Sequence, residues 1–513
     1  MNAAGPTRAE LLAALSVAVD LGLGQPAEHM LRSALIGTRI ADRLGLTRAQ
    51  RDCVYYTALL MWIGCHADSH EYAGWFGDDI AVRRDSYAVD WSGLPYYRFI
   101  LTNIVRGQPL SRRLLTVASL LTGARAQLIR LIRSHCASAA LLADRMGLDA
   151  DVQHALGFTF ERFDGSGLPH GAAGDDLPIA IRVAQLSDMV EVHHRTLGLP
   201  GALAMVRARR GGQFDPAVAD VFLDGAEQIL AGPGAGDSWD VALHESPDRH
   251  DHLTGPALDA LLQALGEFVD LKCPFTLGHS GAVAELAAGA AVAAGLDEDA
   301  VTTLRRAGHV HDLGRIGVSN RVWSKASALT AGEFEHVRLH PYLTVRILSR
   351  TRGLADVAEL AGNHHECLNG SGYPRGLAGP ALGMSDRILA AAVSYQAALE
   401  PRPYRAALTA EGAAHRLTER VRAGEVDETA ANAGLSAAGR PTARARSRPG
   451  GLTPREIDVL RLVARGASNK EIAATLVISE KTARNHVERT YSKIGVSNRI
   501  GASMYALQNG LVN

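Results

Sequence analysis

The sequence predicts an all-α protein in which one helical scaffold is used twice and a small helical module follows. Three observations carry this. The first is a repeat. His29 stands as far before Gly45-Leu46 as His279 does before Gly295-Leu296, and His135 is separated from Glu161 by the same interval as His340 from Glu366. The segment HHECLNGSGYP, His364 to Pro374, is answered by TFERFDGSGLP, Thr159 to Pro169. The second is composition: a chain that is 47% hydrophobic but 5% aromatic, with many Ala and Leu, favours packed helices. The third is a set of helix-start signals near the C-terminus.

At 513 residues the chain exceeds a single core, and three domains are expected. Residues 8–231 form the first copy. Leu31, Leu35, Ile36, Ile40 and Leu44 make an apolar stripe at helical spacing before Gly45. His311-Asp312 of the second copy is answered here by Met61-Trp62, and the interval from Met61 to His135 is more than twice that from His311 to His340. The insert that makes the difference contains Trp75, Trp91, Tyr96, Tyr97 and Phe99, an aromatic cluster suited to packing, to capping the vacated pocket or to a partner. Residues 232–255, with GPGAG and HESPDRHDH, read as a linker, and the HDH as a polar tract rather than a metal site. The second copy spans 256–438. GRPTARARSRPGG, 439–451, reads as a flexible basic tether, and the terminal module fills 452–513.

The net charge of −1 hides an asymmetry. From Arg440 onward there are 13 Lys and Arg against 5 Asp and Glu, a charge of +8, so the remainder carries −9. A basic tail on an acidic body points to nucleic acid. No apolar run is long enough to span a bilayer: the best candidate, Gly281–Leu296, carries Glu285 and is mostly Ala and Gly. The N-terminus lacks the layout of a signal peptide. The five cysteines, at 53, 65, 136, 273 and 367, show no CxxC spacing and fit free thiols in a reducing cytosol. A cytoplasmic location is expected.

In the tail, Thr453-Pro454-Arg455-Glu456 and Ser468-Asn469-Lys470-Glu471 are capping boxes, and Ser479 caps a third helix running to Ile494. The first helix stops at Gly466, the second at Leu476, and Gly495 ends the third. That is a helix-turn-helix. Ala483, Val487, Tyr491 and Ile494 share one arc of the third helix, while Lys481, Thr482, Asn485, Arg489 and Ser492 share the opposite one. Such a face suits a major groove, and Lys481, Thr482, Arg484, Asn485, Arg489 and Lys493 are the candidate contacts to double-stranded DNA. The segment from Leu452 to Arg499 closely resembles the LuxR-type DNA-binding domain. The resemblance implies a fourth helix near Arg499–Gln508 that commonly mediates dimerisation, and hence a homodimer; Ile500, Met504 and Leu507 allow that and equally allow a core role.

In the second copy, His279, His311-Asp312, His340 and His364-His365 are an ordered set of imidazoles and a carboxylate of the kind that holds hard metal ions for phosphoryl chemistry. From His279 to Arg405 the sequence resembles the HD-GYP phosphohydrolases, and the two copies would be tandem HD-domain-like bundles, the first degenerate. The resemblance implies two or three iron or manganese ions on these six residues and cyclic di-GMP or a related cyclic dinucleotide as substrate. No metal is expected in the first copy. Catalysis would centre on His311, Asp312 and Arg315, where Arg315 replaces the usual lysine. Gly372, Tyr373, Pro374 and Arg402 would hold the dinucleotide.

The sequence departs from the family at one ligand. Val393 stands where an Asp is normal, six residues after Arg387, while the first copy keeps Asp188 six residues after Arg182. Asp386 is two turns from Val393, too far to substitute, and Asn369 stands for the Asp of HHExxD. Two functions follow. The leading one is a DNA-binding transcriptional regulator whose helical body senses a ligand. The alternative is a metal-dependent phosphodiesterase carrying a DNA-binding module, and a body serving only as scaffold stands behind both.

Overall fold

The computed structural model describes residues 5–91, 93–103, 110–231, 238–439 and 452–512. Among them there is no strand, and pairing outside helices is confined to isolated bridges. The chain divides into two compact units, Met1–Thr254 and Gly255–Asn513.

In the first unit, α1 (Arg8–Leu23) opens on a capping box between Thr7 and Glu10. α2 (His29–Arg43) buries the expected stripe of Leu31, Leu35, Ile36 and Ile40 and terminates before Gly45, whose φ of 67° is the left-handed turn that sequence position requires. α3 (Arg48–Leu60) and α4 (Leu110–Arg145) lie either side of the insert, and α5 (Ile179–Arg209), which breaks at Gly198, packs across α2 and α3. The insert is helical too, with turns at Ser69–Phe76 and Asp79–Ser86, and its Trp75 packs with Tyr72 and Phe76. The side chains of Tyr96 and Tyr97 lie outside the described ones.

The second unit repeats the helix order. α6 (Gly255–Asp270), α7 (His279–Ala293) and α8 (Glu298–Val310) correspond in sequence order to α1, α2 and α3, and one offset relates His29 to His279 and Arg48 to Glu298. Beyond the insert the offset shortens by the insert's length. α9 (His340–Leu348) begins at the residue matching His135, and α10 (Ala355–Gly362) precedes α11 (Met384–Leu399), which matches Ile179 onward of α5 and packs against α7 and α8.

The terminal module has the three helices its caps predict, α12 (Pro454–Ala464), α13 (Asn469–Leu476) and α14 (Glu480–Lys493), and the fourth that the resemblance implies, α15 (Arg499–Gln508). Leu460, Val463, Ile472, Ala483, Val487 and Ala502 form its core.

One boundary differs from expectation. Much of 232–255 is not a linker: Ser238–His244 is a helix packed on α1 and α2, with Trp239 and Ala242 buried and the Tyr55 hydroxyl donating to Ala242 O at 3.0 Å. Trp239 and Ala242 are three apart and so share one face, which anchors the segment despite its polar neighbours. The basic tether 440–451, with Arg440, Arg444, Arg446 and Arg448, lies outside the described residues. All five cysteines are unpaired, and among the described residues no helix is long and apolar enough to cross a membrane.

Candidate metal centre

The six predicted ligands of the second copy converge. His279 starts α7, His311-Asp312 ends α8, His340 starts α9, and His364-His365 follow α10. They form two groups, His279–His311–Asp312 and His340–His364–His365, and within each the ligand atoms lie within 4.8 Å of one another. Asp312 joins the groups. Its Oδ1 lies 3.4 Å from His340 Nε2 and 3.6 Å from His364 Nε2, and its Oδ2 lies 3.6 Å from His311 Nε2 and 3.8 Å from His279 Nε2.

The imidazoles are oriented from behind. His311, His340 and His364 donate Nδ1–H to the carbonyls of Gly308, Val337 and Ala361, at 2.8, 2.5 and 2.6 Å. A carbonyl only accepts, so each proton sits on Nδ1 and each Nε2 turns a lone pair inward. His340 Nε2 and His364 Nε2 then face each other at 3.1 Å, and His311 Nε2 is buried with no hydrogen-bond partner. Opposed lone pairs beside a carboxylate repel unless a cation lies among them, so this donor set fits divalent metal. Burial drives the conjugate acids of His364 and His365 well below the usual range and that of His311 to about 4, keeping the rings neutral. Burial would raise Asp312, but His311, Arg315 and His340 outweigh it and hold the carboxyl far down.

His279 differs, donating Nδ1–H to Glu400 Oε1 at 2.9 Å rather than to a carbonyl. Glu400 in turn accepts from Arg402 Nη2 at 2.9 Å and from Gln396 Nε2 at 2.9 Å. Glu400 lies two helical turns past Val393 and outside any motif, so sequence reasoning missed it. Arg402, expected on the dinucleotide, is engaged with Glu400 and with Phe275 O. Val393 is buried in α11 where α5 carries Asp188, and nothing acidic replaces it among the described residues. Asp386 caps the start of α11 through Gly383 N and accepts from Asn363, which accounts for its not reaching the centre. Asn369 caps a turn by accepting from Ser371 N at 3.0 Å.

Arg315 donates to Asp312 at 3.1 Å and lies 3.9 Å over the Trp323 ring. In the Gly372–Pro374 turn, Tyr373 stacks on His365 at 4.7 Å, and Glu366 ties the loop down by accepting from Arg375 N and Leu377 N. A Cβ on Gly372 would meet the backbone of Glu366 and Cys367 within 2.5 Å, so only glycine lets the turn close on the histidines. Phe334 and Arg338, which carry no sequence signal, lie against Tyr373 at 6.3 and 5.8 Å.

In the terminal module, Lys481, Thr482, Arg484, Asn485 and Arg489 are exposed on α14 while Ala483 and Val487 are buried, as predicted. Lys493 is held by Glu456 at 2.8 Å. Met504 is buried and Leu507 packs against the module's core, the core alternative for those two.

Comparison with known proteins agrees. The HD domain family matches residues 263–430, and the family of bacterial regulatory proteins, luxR family, matches 451–506. Over 403 residues the chain is 31% identical to a 3'3'-cGAMP-specific phosphodiesterase 3 of Vibrio cholerae, covering 78% of this chain and 88% of that one. It belongs to the HD-GYP family. A crystal structure of the cyclic GMP-AMP specific phosphodiesterase V-cGAP3 of V. cholerae superimposes with a TM-score of 0.59 at 25% identity, over 85% of this chain and 99% of that one. The tail is 47% identical over 62 residues to the transcriptional regulatory protein LiaR of Bacillus subtilis, 12% of this chain and 29% of that one. This HD-GYP protein therefore joins a histidine-rich HD domain to a LuxR-type helix-turn-helix.

Proposed function

We propose that the second HD-GYP copy is a metal-dependent phosphodiesterase acting on a cyclic dinucleotide, carried on a chain that binds double-stranded DNA. The observation that carries this is Asp312, whose two oxygens face two separate groups of inward-turned imidazoles. His279, His311, Asp312, His340, His364 and His365 would hold the metal, for which iron or manganese suits a mixed imidazole and carboxylate set. Bound divalent ions would activate water and neutralise phosphoryl oxygens. The chain's own groups do the rest. Arg315 keeps Asp312 ionised and aimed, Trp323 fixes the Arg315 plane, and Glu366 holds the Gly372–Pro374 turn against His365. Tyr373, Phe334 and Arg338 offer aromatic and cationic surface beside that turn, which suits a nucleobase and its phosphate. The cGAMP named for the V. cholerae relative is the substrate to assay first.

The deciding measurement is metal content of anaerobically purified wild type beside His311→Ala, followed by cyclic dinucleotide hydrolysis. Two metals per chain and turnover are expected, both lost in the variant with activity down by roughly 10³-fold or more. A metal ligand should matter more than the roughly 10–100-fold of a group that only supports one. Metal-free wild type would overturn the enzyme reading. The replaced carboxylate at Val393 favours a second one, in which the site binds the dinucleotide as a signal without cleaving it. Equilibrium binding without turnover in metal-loaded protein would select that reading.

For DNA, the exposed cationic and amide groups of α14 support major-groove binding by two copies on a two-fold site. Affinity should fall steeply with salt, and Arg484→Ala and Arg489→Ala should each weaken specific binding by about 1–3 kcal/mol. Salt-insensitive binding would rule this interface out.

A further inference from the structure

In the first unit, the place of the missing metal is a cavity of about 170 Å³. Its floor is made by the residues that replaced ligands. Trp62 stands for Asp312 and Phe160 for His365, and the two rings meet edge to face at 5.6 Å. Trp91, from the insert, tilts over Phe160 at 5.9 Å, and Tyr87 closes the far side of Trp62 at 6.2 Å. Three of these four aromatics come from the insert or its edge, so the extra sequence builds a wall around a space that a tighter packing would have filled. The apolar lining predominates. Empty apolar space in a protein interior costs contact energy, and a cavity of about 150 Å³ accommodates a benzene ring.

The charged groups on the wall are of both signs, Asp68, Glu161 and Asp188 against Arg83, Arg162 and Arg209, and they differ in how fully they are paired. Asp188 is consumed by His29 at 3.0 Å and by the Trp62 indole N–H at 3.1 Å. Glu161 is consumed by the backbone N–H groups of His170 and Gly171. Arg83 is paired with Asp79 at 3.7 Å. At the other end are two guanidiniums. Arg162 donates to Asp90 at 3.0 Å, whereas Arg209 donates to the neutral amide of Gln213 at 3.1 Å. Burial lowers Arg209, and the one carboxylate that opposes this, Asp90, is hydrogen-bonded to Arg162 rather than to Arg209. A third polar spot lies deeper: Asp68 Oδ1 and His135 Nδ1 are both buried without hydrogen-bond partners, with Asp68 Oδ2 3.8 Å from His135 Nδ1. These two buried atoms without a hydrogen-bond partner line the same cavity and favour a ligand that carries a polar substituent.

We infer that this cavity is a binding site for a small planar aromatic acid, of one ring or two fused rings, whose ring lies among Trp62, Trp91 and Phe160 and whose carboxylate meets Arg209. The size excludes a whole cyclic dinucleotide, so the site is distinct in ligand class from the centre in the second copy. A cationic ligand in the aromatic box is disfavoured by the two guanidiniums on the same wall.

The test uses the full chain and four probes: benzoate, indole-3-acetate and their neutral amides, benzamide and indole-3-acetamide. Calorimetry and Trp fluorescence should show one saturable site per chain for at least one acid. The matched amide should bind at least about tenfold more weakly, a difference of about 1.4 kcal/mol. Arg209→Gln should remove most of the acid's advantage. Trp91→Ala, at a partly exposed position, should weaken acid and amide alike while near-ultraviolet dichroism shows the fold retained. Failure of both acids to saturate at millimolar concentration overturns the site. Equal affinity for acid and amide overturns the assignment to an acid. Binding indifferent to both substitutions places it elsewhere and overturns the proposal.

Discussion

His29 and His279 begin equivalent helices in the two units, and their surroundings put the same imidazole to opposite uses. Around His279, Nε2 faces Asp312 at 3.8 Å among other inward-turned imidazoles, a spacing that leaves room for a shared ion. Around His29 the space is closed: Nε2 is 3.0 Å from Asp188 and Nδ1 2.6 Å from Glu191, with Arg32 on the same glutamate at 2.7 Å. The first copy kept its histidine and final Asp and paired them directly. Its polar groups close into a buried ion-pair network, and Trp62 donates to Asp188 from the position that Asp312 holds in the second copy.

The comparison breaks first at His29. His29→Leu leaves Asp188 buried without its cation and Glu191 with only Arg32 and Arg195, and loss of one partner from a buried pair costs about 3–5 kcal/mol. Hydrogen exchange of α2 and α5 in the full chain measures it; a loss below about 1 kcal/mol would mean the network is not what holds this unit. The pH dependence has a definite sign. Burial alone would lower His29, but Asp188 and Glu191 outweigh it and raise it to about 10, while burial opposes and His29 secures a fall of Glu191 to about 2. The raised His29 contributes fully below its unfolded value near 6.5 and loses that contribution as pH climbs toward 10. The lowered Glu191 contributes above its unfolded value near 4.5 and loses it as pH falls toward 2. Protection of α2 should decline on the alkaline side well before the second unit's does.

A smaller effect is expected at Glu400. It holds His279 Nδ1 as Glu191 holds His29 Nδ1, but from the end of α11 rather than from within α5. Glu400→Ala should weaken metal binding by about 10–100-fold, the usual cost of losing a partner behind a ligating histidine. Unchanged affinity in a metal-competition titration would show Glu400 to be merely an anchor for Arg402. Val393→Asp works in the other direction. It returns to the second copy the carboxylate that the first retains at Asp188, and should tighten metal binding on the order of tenfold, or about 1.4 kcal/mol. Looser binding would mean that the neighbours of Val393 have closed over the position.

What is legible in the sequence is what is local or repeated. The helix starts at Thr453, Ser468 and Ser479 depend on residues three apart, and the structure places the caps there. The order of motifs shared by the copies singled out the six side chains that the structure brings together, without knowledge of how α7 to α10 pack. Glu400 was invisible because it reaches His279 across a long stretch of chain with no motif around it. The helix at Ser238–His244 was masked by polar neighbours, although Trp239 signalled it. The cavity beside Trp62 was legible only as an insert suited to capping a vacated pocket; its shape depends on the placing of Trp91 against Phe160. A further signal of the repeat lies in Asp20 and Asp270, which each precede their histidine by nine positions.

That pair gives the mildest test. Asp20 accepts from Met30 N at 3.2 Å, and Asp270 from Ser280 N at 2.9 Å, each fixing the start of the helix that carries the histidine. Burial raises Asp20 to about 7, against the pull of His29, and leaves its Oδ2 without a partner. Burial thus favours the neutral carboxyl, and a neutral isostere loses little. Asp20→Asn should cost less than about 1 kcal/mol, one ordinary hydrogen bond at most. A carboxyl raised on folding favours the folded state below its unfolded value near 3.8 and loses that contribution as pH rises toward 7. The variant should accordingly gain on wild type from about pH 4 to about pH 8 in exchange protection of α2. A gap that widens with pH instead would mean that Asp20 is ionised and belongs to the same charge network as His29, and the first copy would then hold three buried carboxylates against one imidazolium, Arg32 and Arg195.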